Sequence, residues 1–171
     1  MYRIHRCASL LKMTRLRKTI TAISIAGIAA GSLFVASPAQ AESNSNSVRG
    51  AYNTWVSALE QANCKGKKVS SLYTKDGILL ATFTDEVVGK KAITKYFDGL
   101  TCNDDLDVTT QSFDSNRDAD MAWATGLYTF SFTGADGETV TAPARYTFVF
   151  EKTRGGWKIV NHHSSVRPEG N

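Results

Sequence analysis

No acidic residue occurs before Glu42, while six basic ones (Arg3, Arg6, Lys12, Arg15, Arg17 and Lys18) precede residue 19. The formal charge of +4 over 171 residues, from 20 Lys+Arg against 16 Asp+Glu, therefore belongs to the N-terminal segment. From Glu42 onward 14 basic residues face 16 acidic ones, a net of −2, so the basic patch that nucleic-acid binding needs is missing. There is no Gly-x-Gly-x-x-Gly fingerprint for a nicotinamide or flavin cofactor, and no cofactor is expected. A Gly-rich phosphate loop and a His-Arg-Asp catalytic loop are also lacking, which excludes a kinase. With 42% hydrophobic and 21% charged residues the chain has a globular balance, not that of a disordered tail.

The basic stretch ending at Lys18 runs into the apolar segment Ile20–Ala36 and then into Ser37-Pro38-Ala39-Gln40-Ala41. This layout predicts a secretory signal peptide over 1–41, cut between Ala41 and Glu42. An uncleaved anchor helix is the alternative, since the apolar run approaches spanning length. Gly27, Gly31 and the Ala-Gln-Ala exit favour cleavage. A start at Met13 instead of Met1 gives a leader of more usual length. No Cys follows the cut, so a lipid anchor is not indicated. The expected product is exported, periplasmic or secreted, with no membrane contact after cleavage. Its 130 residues suffice for one core: a flexible lead-in over 42–47 and a single domain over 48–168.

Cys7 lies in the leader, leaving Cys64 and Cys102 as an even pair in an oxidising compartment, and a disulfide between them is expected. Two separate buried thiols are the alternative. With no third cysteine in the mature part and no histidine near the pair, no metal site is expected there.

Val48, Tyr52, Trp55, Val56 and Leu59 form one apolar stripe at helical spacing, predicting a helix that stops near Cys64-Lys65-Gly66. A short helical turn is expected over Val69–Tyr73, a turn at Lys75-Asp76-Gly77, a strand over Ile78–Phe83 and a helix over Gly89–Leu100. From Asp107 the pattern alternates, predicting strands near Val108–Ser115, Met121–Thr133, Thr139–Lys152 and Trp157–Val166, joined as a meander. The class is α+β, a curved antiparallel sheet with the N-terminal helices packed on its concave face. In the strand from Met121, Ala122, Ala124, Gly126, Tyr128, Phe130 and Phe132 share one face, small residues first and aromatics after, as in a cone. The opposite face carries Met121, Trp123, Thr125, Leu127 and Thr129, more apolar than a solvated sheet face. A second copy of the chain is its expected cover, giving a homodimer or higher homo-oligomer.

The segment from Arg145 through Trp157-Lys-Ile-Val-Asn-His162-His163-Ser164-Ser165 to Pro168 resembles the last hairpin of bacterial relatives of the calcium/calmodulin-dependent kinase II association domain. These belong to the nuclear-transport-factor-2-like, SnoaL-like superfamily, whose bacterial members include the SgcJ/EcaC type. Tyr73-Thr-Lys-Asp-Gly-Ile and Gly89-Lys-Lys-Ala-Ile-Thr-Lys-Tyr-Phe resemble a strand and a helix start of the same family. The resemblance implies a cone-shaped α+β domain with a pocket between sheet and helices. It does not imply one activity, since such folds serve hydratases, isomerases, cyclases and non-catalytic oligomerisation or ligand-binding modules.

Two functions follow as expectations. The first is an exported module that binds an unknown small molecule in an aromatic pocket and homo-oligomerises. The second is a hydro-lyase, isomerase or cyclase without cofactor, in which a pocket histidine acts as acid/base. His162 and His163 are adjacent on a strand and point to opposite faces, so one of them faces the pocket. By alternation His163 shares a face with Trp157 and Ile159, and His162 with Val160; periodicity does not say which face is inner. Arg145 is a candidate for gripping a ligand carboxylate, with a structural salt bridge as the alternative. The association domain's pocket arginine on this strand falls near Phe148 when counted back from Trp157. Tyr52, Trp55, Tyr128 and Tyr146 are candidate pocket aromatics, with Tyr73, Phe83 and Phe97 beside them, and plain core is the competing reading. Asp114-Ser-Asn116-Arg-Asp118-Ala-Asp120 imitates a calcium loop but lacks its glycine and its final glutamate, and reads as a solvated hairpin turn.

Overall fold

The computed structural model describes residues 47–82 and 84–168. The expected signal peptide over 1–41, the first five residues of the lead-in and Phe83 lie outside the described residues.

Ser47 caps the first helix, α1 (Val48–Glu60): its hydroxyl accepts the Gly50 N–H at 2.9 Å, satisfying one of the orphan donors of the first turn. The stripe read from spacing is the buried face, with Val48, Tyr52, Trp55 and Leu59 all in the core. A short helix α2 (Lys67–Ser70) follows, and α3 spans Lys90–Leu100 with Ile93 and Phe97 buried. Gly66 lets α2 approach α3: a Cβ there would fall 2.5 Å from the Asp98 amide nitrogen and the Thr94 carbonyl oxygen. The Gly66 N–H donates to Asp98 Oδ1 at 2.8 Å.

Six strands form one curved sheet: β1 (Tyr73–Leu80), β2 (Glu86–Val88), β3 (Asp104–Asp118), β4 (Met121–Thr133), β5 (Thr139–Thr153) and β6 (Gly156–Val166). Their order is β2-β1-β6-β5-β4-β3. The run β3 to β6 is the antiparallel meander expected from alternation. One pairing departs from it: β1 runs parallel to β6, with Leu79 opposite His162. Nothing local encodes this, because the two strands meet only after α3 and the meander have been placed. The Lys75-Asp76-Gly77 segment, expected as a turn, lies inside β1 at a shift of register between Tyr73 and Ile78. β2 has three residues, too few for a periodic signal.

Register irregularities between Thr110 and Ser112 on β3, and opposite Val149 and Phe150 where Val160 bulges out of β6, bend the sheet. Its concave side holds Tyr73, Tyr128, Phe148, Phe150 and Ile159, all buried against Trp55 and Phe97 from the helices. The small face of β4 behaves as expected at Ala122 and Ala124, which are buried. Gly126 serves another purpose: the Ser112 carbonyl and the Tyr146 hydroxyl occupy the space a side chain would need, and that hydroxyl donates to the carbonyl at 3.0 Å.

Cys64 and Cys102 form a disulfide, Cα to Cα 4.4 Å, joining the segments after α1 and α3. Asn63 and Cys64 both adopt positive φ, 46° and 61°, to turn the chain into the bridge, and the Cys64 N–H donates to the Thr101 carbonyl at 3.0 Å.

Candidate ligand cavity

Between the wide end of the concave sheet and α3 lies a cavity of about 720 Å³, inside the roughly 300–1,000 Å³ range of small-molecule sites. Leu100, Phe130, Phe132, Val140 and Ala142 give it apolar walls. Its inner end is polar, built from Trp55, Tyr128, His162, Ser164 and Thr82.

His162 is buried at 2% exposure, stacked on Phe148 with ring centroids 3.9 Å apart and edge-on to Trp55. Both ring nitrogens are engaged. Nδ1 lies 2.9 Å from the Tyr73 hydroxyl and Nε2 lies 3.3 Å from the Tyr128 hydroxyl. Trp55 Nε1–H, a donor only, gives its proton to the Tyr73 oxygen at 3.2 Å. Tyr73 is then free to donate to Nδ1, so the neutral imidazole carries its hydrogen on Nε2 and donates to Tyr128. The opposite tautomer would leave the Tyr73 proton buried with no acceptor, at a cost of about 1–3 kcal/mol. Ser164 sits beside Tyr128 and exchanges a 2.7 Å hydrogen bond with Thr82. Burial, and secondarily the charge of His163, hold the His162 imidazolium down to about 3. The same burial pushes the Tyr73 and Tyr128 phenols well above their usual range. The inner end is therefore uncharged at neutral pH. Among the described residues no buried side-chain nitrogen or oxygen lacks a partner.

Of the residues singled out by sequence, Trp55, Phe97, Tyr128 and His162 line the cavity. His163 is exposed on the outer face, opposite Thr147, with no place at the site. The alternation that grouped His163 with Trp157 and Ile159 is reversed by the bulge at Val160, which puts His162 on the inner face with them. An acid/base role for the inner histidine also meets an obstacle: both its nitrogens are occupied, and with its pKa lowered to about 3 the imidazolium acid does not form at neutral pH. Arg145 is not among the cavity-lining residues either. It is exposed on the outer face and donates from Nε to the Ser165 hydroxyl at 2.9 Å. The physical reason is parity, because Tyr146, Phe148 and Phe150 point inward and Arg145 alternates with them. Tyr52 and Tyr146 are core beside the cavity, not lining: their rings stack at 5.1 Å, and Tyr52 hydrogen-bonds Thr110 at 2.8 Å. Tyr96, Asn103 and Arg167 line the cavity and were not singled out. Tyr96 and Phe97 both lie in the helix expected over Gly89–Leu100, but which aromatic meets empty space is a property of packing. Among the described residues no group of His, Cys, Asp and Glu is arranged to hold a metal, and no helix is long and apolar enough to cross a membrane.

Helices laid across a bent six-stranded sheet, with a ligand-sized cavity between sheet and helix, define an NTF2-like α+β domain. The SnoaL-like domain matches residues 48–168, and the chain belongs to that family. A similar solved structure is the calcium/calmodulin dependent protein kinase II association-domain-like protein of Xanthomonas campestris, 36% identical, covering 70% of this chain and 84% of that one, with a TM-score of 0.63. A dehydratase-like protein of the NTF2-like family from Streptomyces avermitilis shares the fold at 17% identity over 70% of this chain and 93% of that one, TM-score 0.63. So does a ketosteroid isomerase-like protein from Erwinia carotovora atroseptica, at 20% identity over 71% and 95%, TM-score 0.59. No curated protein matches the chain.

Proposed function

We propose that this chain is an exported, non-catalytic module that binds a small, largely apolar molecule and homo-oligomerises. The observation that carries the reading is the cavity of about 720 Å³ whose polar inner end is internally hydrogen-bonded and neutral. Such a site offers shape and apolar surface to a ligand, and its histidine is spent on holding Tyr73 and Tyr128. This favours binding over the cofactor-independent isomerase, hydro-lyase or cyclase reading, which needs a ring nitrogen open to the substrate. Export is supported by the basic and apolar leader, whose removal after Ala41 belongs to this proposal, and is compatible with the Cys64–Cys102 disulfide. Homo-oligomerisation is supported by the outer sheet face, where Trp123 and Met121 are 39% and 47% exposed, next to Leu127 and Val149. The dimer is the proposed basic unit.

The test is titration of the mature protein with N-phenyl-1-naphthylamine, a neutral apolar dye that fluoresces when taken out of water. Saturable enhancement is expected in the wild type, and its loss in Ala142→Trp, where an indole fills the cavity from its half-buried wall. Equal enhancement in both proteins with unchanged circular dichroism would remove the cavity from the proposal.

A further inference from the structure

The cavity's polar groups fall into two sets. At the inner end, Trp55, Tyr73, His162, Tyr128, Ser164 and Thr82 bond one another, so a ligand group placed there would have to break a bond already made. The second set is unspent. The Tyr96 hydroxyl borders the cavity and has no hydrogen-bond partner among the described residues, and burial alone pushes its phenol up to about 12. Arg167 also lines the cavity and is exposed, which places it at the opening. Its backbone N–H is fixed to the Pro143 carbonyl at 3.0 Å, while its guanidinium has no ion pair or hydrogen bond among the described residues. No Asp or Glu is found among the described lining residues, so Arg167 is the single formal charge there. Leu100, Phe130, Phe132 and Val140 supply the intervening apolar surface.

We propose that the cavity takes a monocarboxylate with an apolar body, its acid group held by Arg167 at the opening and its body reaching inward past Tyr96 toward the histidine. This rests on the ligand-binding reading above and adds the charge, polarity and direction of the ligand. A guanidinium prefers a carboxylate because it offers paired donors in a planar fork. Water screens a charge at the opening, so the expected contribution is modest, of the order of tenfold in affinity.

The experiment compares decanoate with 1-decanol, which share a hydrocarbon body and differ in the head group, by Trp fluorescence titration. Wild type, Arg167→Gln and Tyr96→Phe are measured at low and at 0.5 M salt. Decanoate is expected to bind about tenfold tighter than decanol to the wild type, with the preference shrinking at high salt. In Arg167→Gln the ratio of the two affinities should collapse to about one, while in Tyr96→Phe, changed away from the opening, it should hold at the wild-type value. Equal affinities in the wild type, or a preference that survives Arg167→Gln, overturn the carboxylate subsite while leaving ligand binding intact. Failure of both probes and of the neutral dye to bind overturns the ligand-binding reading and this inference with it.

Discussion

The Nδ1 atom of His162 lies 2.9 Å from the hydroxyl of Tyr73, although the two residues are 89 positions apart in the chain. The contact is made by the parallel pairing of β1 with β6, which sets Tyr73 opposite Ile159 and Leu79 opposite His162. It joins the first strand to the last and fixes a neutral imidazole in the centre of the core. A charged imidazolium in that position has no carboxylate near it and two donors where one acceptor bond is now made.

Acid should therefore weaken the fold before the carboxylates titrate. The folded-state pKa of His162 is lowered to about 3 from an unfolded value of 6.5, so between these limits the unfolded chain binds the extra proton. Stability is full above pH 6.5 and falls as pH drops below it. Between pH 7 and pH 5 the loss from this one group is about 2 kcal/mol, from ~1.4 kcal/mol per pH unit. Urea unfolding at both pH values should show it, and His162→Phe should be less stable at pH 7 but flatter over this window. An identical pH dependence in the variant would assign the effect elsewhere.

The disulfide should be worth about 4 kcal/mol, because it closes a loop of 38 residues. Reduction, or Cys64→Ala with Cys102→Ala, is expected to lower Tm by on the order of 10 °C in a domain of this size. Calorimetry with and without reductant measures it, and non-reducing peptide mapping should recover the two cysteine peptides linked.

Oligomerisation through the outer sheet face should be lost when a charge is placed in it. Light scattering of the mature protein at micromolar concentration is expected to give at least a dimer, and Trp123→Lys a monomer with an unchanged circular dichroism spectrum. Trp123 is 39% exposed in the single chain, so the substitution spares the core. A wild-type monomer would refute the proposal.

Much of the fold was legible because its signals are local. The stripe from Val48 to Leu59, the alternation from Val108 to Val166 and the hairpin turns each lie within a short window, and β4 spans Met121–Thr133 as read. Arg145 was legible too: its parity against Tyr146, Phe148 and Phe150 places it on the opposite face. Arg167, for which the carboxylate-binding role is proposed, lies one residue past the end of β6 where no periodic pattern applies.

What the amino-acid order determined by itself is the set of faces: which residues travel together on a helix or strand. Those follow from periods of 3.6 and 2, which need no knowledge of the partner element. What the tertiary structure decided is which face is inner and where the faces change. The extra residue at Val160 reverses the alternation halfway along β6, so His162 and not His163 enters the core. A bulge is accommodated by the neighbouring strand and the parallel contact with β1, and these exist only once the chain has folded. The cavity arises in the same way, as the volume the wide end of a bent sheet leaves unfilled, and no residue encodes it alone.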